Sequence, residues 1–236
     1  MAAIYVSWVI SAAVLIGLGI VVGLVTTSRV DGILIDHRGR YSLTHLQTVL
    51  WTIAIISLIS GIFFGRLVDG VADPLGIQLP AQALGVFGIS LGSAVVTTAV
   101  KRSKDVTTPA RISASGGANY PPRLAQMFLV EEGTFANEAV DVTKFQGFAV
   151  NIFLVIAYVA LAAYEINAAG TAAAVAALPQ LNLSLLTLLG ISHGAYFIGK
   201  LPTSSGSPSG LVMSERNSEP GVFRVLKRSA SAPLPQ

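Results

Sequence analysis

The sequence predicts an all-α transmembrane protein, a five-helix bundle built from a duplicated two-helix unit, a parallel repeat, plus one N-terminal helix. Three observations predict this fold. Charged residues make up only 11% of the 236 residues, against about 25% in a typical soluble domain, so lipid is the expected solvent. Five apolar stretches each approach the length of about 20 residues that a transmembrane helix needs. Two parts of the chain carry the same sequence marks in the same order.

The five apolar stretches are separated by polar or turn-rich segments. The first stretch has no Lys or Arg before it and no small-residue cleavage site, so we expect a retained helix and not a removable signal peptide. Together the stretches predict a membrane domain over residues 1–200. The predicted helices are 4–26, 44–64, 82–100, 148–166 and 181–199.

Basic residues predict the orientation of the bundle. Segments 27–43 and 101–146 and the chain from Lys200 hold nearly all the Lys and Arg, whereas the two alternate connections hold only Arg66. Because basic residues collect on the cytoplasmic side, we expect the N-terminus outside and the C-terminus in the cytoplasm. Segment 101–140 is then a cytoplasmic loop. Segment 201–236 is rich in Ser, Pro and Gly and is predicted to be a disordered cytoplasmic tail.

The internal repeat is predicted from matched residues. SLTHLQTVLWTI from Ser42 matches DVTKFQGFAVNI from Asp141, at an offset of 99 residues between Gln47 and Gln146. Ser42 and Asp141 are also suited to cap the helices that follow them. Two helices per unit give both copies the same orientation, related by an axis along the membrane normal. The predicted repeats are 42–100 and 141–200.

The stretches GISLG and GISHG fit two different functions. Each contains the Gly-x-Ser-x-Gly pattern of some serine hydrolases and the Gly-x-x-x-Gly spacing of closely packed membrane helices. His193 follows Ser192 directly, so the two side chains leave a helix about 100° apart and do not form a nucleophile–base pair. We therefore predict no catalytic residue, and we expect leucine at Gly92 or Gly194 to destabilise more than leucine at Gly23. The predicted helix-packing residues are Gly85, Gly88, Ser90, Gly92, Gly190, Ser192, Gly194 and Gly199, with the two serines as hydrogen-bonding links.

Polar residues inside the predicted helices leave two interpretations open. They either line a polar path near the cytoplasmic face or join the two repeats. The residues are Gln47, Thr52, Gln146, Asn151 and His193. The chain has no cysteine, no metal-ligand spacing, no phosphate-binding glycine loop and no basic stripe with interleaved aromatic residues. The sequence therefore predicts no metal site, no cofactor and no nucleic-acid partner.

Four stretches carry a resemblance to a known group of proteins: RYSLTHLQTVLWT from Arg40, MFLVEEGTF from Met127, DVTKFQ from Asp141 and LLGISHGAY from Leu188. In these stretches the chain resembles a group of bacterial multi-pass membrane proteins. The resemblance implies a topology in the bacterial cytoplasmic (inner) membrane and implies no activity. The second repeat departs from the first at Val150, which leaves the role of the matching aromatic residue open.

The predicted function is non-enzymatic. The chain is expected to be an anchor, scaffold or assembly subunit that contacts membrane lipid and offers its cytoplasmic loop and tail to a protein partner. The alternative is a small channel or transporter subunit, and conduction would then need a homo-oligomer because four repeat helices leave little room for a pore. A remote alternative is an intramembrane serine hydrolase.

Overall fold

The structure is a computed structural model that describes residues 1–107, 121–132 and 136–198. The prediction of an all-helical fold with five helices is confirmed, and the described residues form no strand. Four of the helices are long and apolar enough to cross a membrane, and the fifth has a shorter apolar stretch. The predicted tail, Gly199 and much of the predicted loop lie outside the described residues. The helices are α1 (Ala2–Thr27), α2 (Leu43–Val68), α3 (Ala81–Thr107), α4 (Val142–Ala169) and α5 (Leu183–Ile198).

Three helices extend past their predicted ends into segments with charged residues, and one of them is α2, which continues beyond Phe64 to Val68 and includes Arg66. Helix α3 continues beyond Val100 to Thr107, and α4 starts at Val142 in place of 148. The predicted N-caps are confirmed: the Ser42 side chain accepts from the backbone N–H of His45, and Asp141 accepts from two N–H groups of the first turn of α4. The hydropathy pattern places a helix end at the first charged residue. In the folded chain these charged residues have hydrogen-bonding partners, so the helices continue past them.

Helices α2, α3, α5 and α4 form a ring in which each helix packs on the next, and α1 packs on α2. We call this arrangement the helix ring. Its basic end is where α2 and α4 begin and α3 ends, and its Leu-Pro end carries the loops that contain Pro80 and Pro179. At the Leu-Pro end the two loops pair: the Gln78 N–H donates to the Ala176 carbonyl at 2.8 Å, and the Leu178 N–H donates to the Gln78 carbonyl at 3.0 Å. The helix pairs α2–α3 and α4–α5 hold equivalent places, and their origin by duplication stays a prediction.

Apolar side chains fill the half of the ring nearer the Leu-Pro end. Trp51 lies at the boundary of this apolar half and makes an edge contact with Tyr158, with 5.8 Å between the ring centroids. By contrast, α1 exposes a row of Val, Leu and Ile side chains, a surface suited to lipid. The fully buried residues of the apolar half include Leu58, Ile62, Leu154, Tyr158 and Ala162.

Among the described glycines, those that lie tightest against a neighbouring helix are in α2 where it packs on α1, a contact that the sequence analysis did not predict. A Cβ placed on Gly61 would lie 2.6 Å from the Trp8 Cα, and one on Gly65 would lie 2.6 Å from the Ile4 Cα. These distances leave room for hydrogen only. GIFFG, which spans both glycines, therefore packs the two helices in the manner of the Gly-x-x-x-Gly spacing.

Gly88, Gly92 and Gly194 make no close contact with a neighbouring helix within the part of the chain that the structure describes. A Cβ at any of these three positions would meet no atom of the described residues within 4 Å. Gly-x-x-x-Gly spacing places both glycines on one face but does not say which face turns inward. On α3 the inward face holds Ser90, which is two residues from Gly88 and therefore about 200° around the helix.

The remaining packing predictions fare differently. Gly85 lies close to α5, because a Cβ there would be 3.2 Å from the Leu186 Cδ2, whereas one on Gly190 would be 3.9 Å from the Ile89 Cδ1. Gly23, expected to be the tolerant position, is tight: a Cβ there would lie 2.7 Å from the Arg29 carbonyl oxygen. From these distances we expect the opposite order, with leucine at Gly23 destabilising more than leucine at Gly92 or Gly194.

Candidate functional site: an ion-pair cap and a polar column

A cluster of charged side chains closes the basic end of the helix ring, and we call it the ion-pair cap. Its members come from four separate pieces of the chain: the connection after α1, the last turns of α3, the segment before α4 and the first turn of α4. The members are Asp36, Arg38, Lys101, Lys104, Asp105, Glu131, Glu132 and Lys144.

Glu131 is the centre of the ion-pair cap. One of its carboxylate oxygens lies 2.7 Å from the Lys144 Nζ, and the other lies 3.1 Å from the Lys101 Nζ and 3.5 Å from the Arg38 Nη1. The Lys144 side chain is 1% exposed and the Glu131 side chain 7%. Buried charges persist only when partners compensate them, so this network fixes the four pieces of chain relative to one another.

Asp36 joins the connection after α1 to the cap. Its carboxylate lies 2.9 Å from the Lys101 Nζ and accepts from the backbone N–H groups of Arg38 and Arg40 at 3.0 and 3.1 Å. Burial alone would raise the pKa of Asp36, but the Lys101 ammonium and these hydrogen bonds outweigh burial and lower it. Asp36 is therefore ionised at neutral pH and serves as a permanent partner for Lys101.

The rim of the cap is more exposed than its centre. The Asp105 carboxylate lies 2.7 Å from both the Arg38 guanidinium and the His37 Nε2. The Lys104 Nζ lies 2.8 Å from Glu132. Sequence reasoning assigned these charges to a loop and did not pair them, because the partners are far apart along the chain and hydropathy carries no information on such pairs.

Inside the ring, next to the cap, polar side chains from all four helices form what we call the polar column. Toward the Leu-Pro end, the polar column ends at the hydrogen bond from the Trp51 Nε1 to the Asn151 Oδ1, which is 2.8 Å long. One turn nearer the basic end, the Gln47 amide donates to the Gly147 carbonyl at 3.2 Å. The members of the polar column are Thr44, Gln47, Ser90, Ser93, Thr97, Asn151, Ser192 and His193.

The predicted polar residues divide between the inside and the outside of the ring. Gln47 and Asn151 are buried and each makes a hydrogen bond between α2 and α4. Thr52 donates within its own helix to the Thr48 carbonyl at 2.8 Å, and Gln146 is exposed. The register of α4 explains the difference, because Gly147 and not Gln146 faces α2.

His193 meets a serine that the sequence analysis did not pair with it. The Ser93 Oγ lies 2.8 Å from the His193 Nδ1. The same oxygen lies 3.1 Å from the Ser90 carbonyl oxygen, close enough to donate a hydrogen bond to it. This Ser–His distance is that of a nucleophile and its base. Catalysis would also need a third group that orients the base, yet the His193 Nε2 has no hydrogen-bond partner among the described residues. The contact as it stands is a hydrogen bond between α3 and α5.

Ser90 and Ser192, which the sequence predicts as helix-packing residues and hydrogen-bonding links, lie in the polar column, and their hydroxyls form no link between helices within the described residues. Both hydroxyl oxygens are buried and have no partner in the part of the chain that the structure describes. The Ser192 Oγ lies 3.5 Å from where a Cβ of Gly147 would be, beside Gln47. The hydroxyls therefore face the interior of the ring.

A separate cavity of about 190 Å³ lies near the Leu-Pro end, between α2, α4 and the loop before Pro179. Its walls are mainly Leu, Ile, Val and Ala side chains, and Glu165 supplies the single carboxylate. Glu165 is exposed.

By length and composition, the four long apolar helices define a helical membrane protein, here one with a charged cap at one end and a polar interior beside it. Comparison of the chain with models of protein families, with curated proteins and with solved structures found no match.

Proposed function

We propose that this chain is a non-enzymatic membrane scaffold, an anchor or assembly subunit whose basic end binds a protein partner. The observation that carries the proposal is the ion-pair cap around Glu131. Apolar residues of similar volume often stabilise a buried site as well as an ion pair does. The buried charges are therefore better explained by a requirement for one fixed arrangement of the chain segments at this end, and a fixed surface is what a scaffold presents.

The proposal includes an orientation. Lys and Arg concentrate at the basic end, and such residues favour the cytoplasmic side, so we place this end in the cytoplasm and the Leu-Pro end outside. The resemblance given above favours the bacterial cytoplasmic membrane. A reporter fused after Gln236 should behave as cytoplasmic and one inserted near Asp73 as external. An external signal from the Gln236 fusion would contradict this orientation.

Copurification in mild detergent tests the partner. The tagged chain should retain one protein in a fixed ratio, identified by mass spectrometry, and the mass of the complex reports any homo-oligomer. Arg102→Glu and Arg123→Glu change exposed residues at the basic end and should release the partner. Asp73→Lys makes a charge reversal at the exposed Leu-Pro end and should retain it. Equal loss in all three variants, or no partner at all, would contradict the scaffold.

The polar column favours a second function, that of a small channel or transporter subunit. Ionisable residues inside a membrane helix bundle commonly mark a path for ions or protons, and His193 is such a residue in the column. The column ends at Trp51, beyond which the ring is apolar, so conduction would require opening of that half. Proton or K⁺ flux into liposomes should then exceed that of protein-free liposomes and rise in Trp51→Ala, and flux equal to the protein-free background would argue against transport.

One observation favours a serine hydrolase: the 2.8 Å distance between Ser93 and His193 is that of a nucleophile and its base. A fluorophosphonate probe distinguishes an enzyme from a scaffold. Labelling of the purified chain that disappears in Ser93→Ala and persists in Ser192→Ala would replace the scaffold proposal with a serine hydrolase. We expect no labelling, because the base has no orienting group among the described residues.

A further inference from the structure

The polar column contains buried polar atoms that no described group satisfies. Each such hydroxyl or ring nitrogen costs about 1–3 kcal/mol when it is left without a partner. A hydrogen-bonding species that is not part of the described chain must therefore reach several points on three helices. The atoms are Thr44 Oγ1, Ser90 Oγ, Thr97 Oγ1, Ser192 Oγ and His193 Nε2, and none of their residues is more than 6% exposed.

These atoms follow one another along the ring axis. Thr97 lies one helical turn from Lys101 of the cap and one turn from Ser93, which contacts His193. Ser90 is at the level of Thr48, whose hydroxyl is 3.5 Å from the Ser90 carbonyl, and Ser192 is beside Gly147. From Lys101 to Ser90 the column extends about 16 Å at 1.5 Å per residue. This is about half of a hydrocarbon core of about 30 Å.

The His193 ring requires a partner in either neutral tautomer. Ser93 has one hydroxyl proton, which it donates either to the Ser90 carbonyl or to the His193 Nδ1. In the first case the imidazole donates from Nδ1, and Nε2 is an acceptor without a partner. In the second case Nε2 carries the proton and is a donor without a partner. A partner that can both donate and accept therefore satisfies Nε2 in either arrangement.

We propose that ordered water molecules fill the polar column from the ion-pair cap to the level of Ser90 and Ser192, and that this water exchanges with solvent at the basic end, between the charged side chains of the cap, and not through the apolar half. Water both donates and accepts, and a buried water typically makes about three hydrogen bonds to groups that lack other partners. The column itself contains hydroxyl, amide and imidazole groups and no carboxylate or ammonium, so it offers no fixed charge for an ion.

The water site ends where the apolar half of the ring begins. The Trp51–Asn151 hydrogen bond spans the ring where the polar residues end. Beyond it, Leu58, Leu154 and Tyr158 are buried, and apolar cavities between such residues stay dry. The water site is thus a half-channel that opens toward the cap, and it would exist whether or not the scaffold proposal holds.

Cysteine accessibility tests the water site directly, because the chain contains no native cysteine. Ser90→Cys and Ser192→Cys place nearly isosteric thiols in the column. Ser57→Cys is the matched control: Ser57 is as buried as Ser90, 1% exposed, but it lies outside the column and accepts from the Trp8 ring N–H of α1. The purified full chain in liposomes is treated with Ag⁺, and unreacted thiols are then counted with a maleimide after solubilisation.

Thiol reactivity requires access to water, so Ser90→Cys and Ser192→Cys should react about tenfold or more faster than Ser57→Cys. Glu138→Cys and Ala173→Cys mark the basic and Leu-Pro faces, since both residues are exposed, and the column thiols should react only from the Glu138 face. Circular dichroism and the melting temperature establish that each variant is folded. Reaction of both column thiols at the Ser57→Cys rate, or from the Ala173 face, would overturn the proposal.

Discussion

The two ends of the helix ring are closed by different interactions. At the basic end, charged side chains from distant parts of the chain meet around Glu131. At the Leu-Pro end, the loops pair through backbone groups of Gln78, and the space beneath them is apolar. Charged closure depends on specific side chains and on pH, whereas backbone pairing and apolar contact do not. The comparison predicts that one end is sensitive to single changes of charge and the other to changes of volume.

The largest effect is expected from Glu131→Gln at the basic end. Removal of one partner from a buried ion pair leaves the other charge uncompensated and costs about 4 kcal/mol. Thermal unfolding in detergent should show this loss, and Glu138→Gln, an exposed carboxylate of the same segment, should leave the melting temperature unchanged. Adding Lys144→Met should recover part of the loss, because the two residues interact directly. A melting temperature equal to that of the wild type would mean that the cap does not hold this end.

The next effect is expected from a change of volume in α2 near the Leu-Pro end. Gly65→Leu forces a side chain against the Ile4 backbone, and we expect a loss of about 3 kcal/mol from overpacking. Gly92→Leu is the matched control, because its side chain enters open space, and should change stability by about 0.5 kcal/mol or less. Thermal unfolding of both variants measures the difference. Equal losses would contradict the assignment of the close contact to α1 and α2.

Acid should weaken the basic end by an intermediate amount. The folded-state pKa of Asp36 is lowered, and hydrogen bonds from Arg29 and Tyr41 hold the pKa of Asp31 at about 2. Ionised carboxylates with lowered pKa values stabilise the fold above their unfolded pKa of about 3.9. This stability is lost as the pH falls from about 4 through the folded pKa. The melting temperature should therefore drop as the pH falls from about 4 to about 2, and less steeply in Asp36→Asn; identical slopes would argue against a role for Asp36.

The smallest effect is expected from the single hydrogen bond between α3 and α5. Ser93→Ala removes the partner of the His193 Nδ1, and such bonds between membrane helices contribute about 0.6 kcal/mol on average. Thr187→Ala removes a hydroxyl that bonds only within its own helix, to the Leu183 carbonyl, and should change less. A loss from Ser93→Ala as large as that from Gly65→Leu would show that the column, and not the α1–α2 contact, dominates packing.

Hydropathy predicted the existence and number of the helices because burial in lipid demands long apolar stretches. It misplaced the end of α3, because Lys101 and Asp105 are helical and paired, and pairing with distant partners is invisible to a local window. Spacing of small residues was ambiguous in another way. GIFFG in α2 carried the same spacing as the stretches that were chosen, and only the fold shows that Gly61 and not Gly92 faces a neighbouring backbone.

The candidate site was predicted only in part, because local sequence identifies polar residues in apolar helices but not their contacts. Gln47 and Asn151 were recognised as polar residues in apolar helices, and both are buried in the column. The contact of His193 with Ser93 was missed, because it depends on the rotation of α3 against α5. Charges near the membrane boundary were used only to assign an orientation, so the cluster around Glu131 had no sequence signal beyond the presence of Lys101 and Lys144 at helix ends.

The spacing of contacts along the chain has a consequence for biosynthesis. Helices α1 and α2 are neighbours in sequence, and their contact through Gly61 and Gly65 requires nothing made later, so we expect this hairpin to form first as the chain emerges. The Lys144–Glu131 bond forms only once α4 has begun to be synthesised, and closure of the ring waits for α5. The growing chain would therefore pass through a stage in which Asp36 and Lys101 are already side by side while the carboxylate that joins them to α4 is still absent.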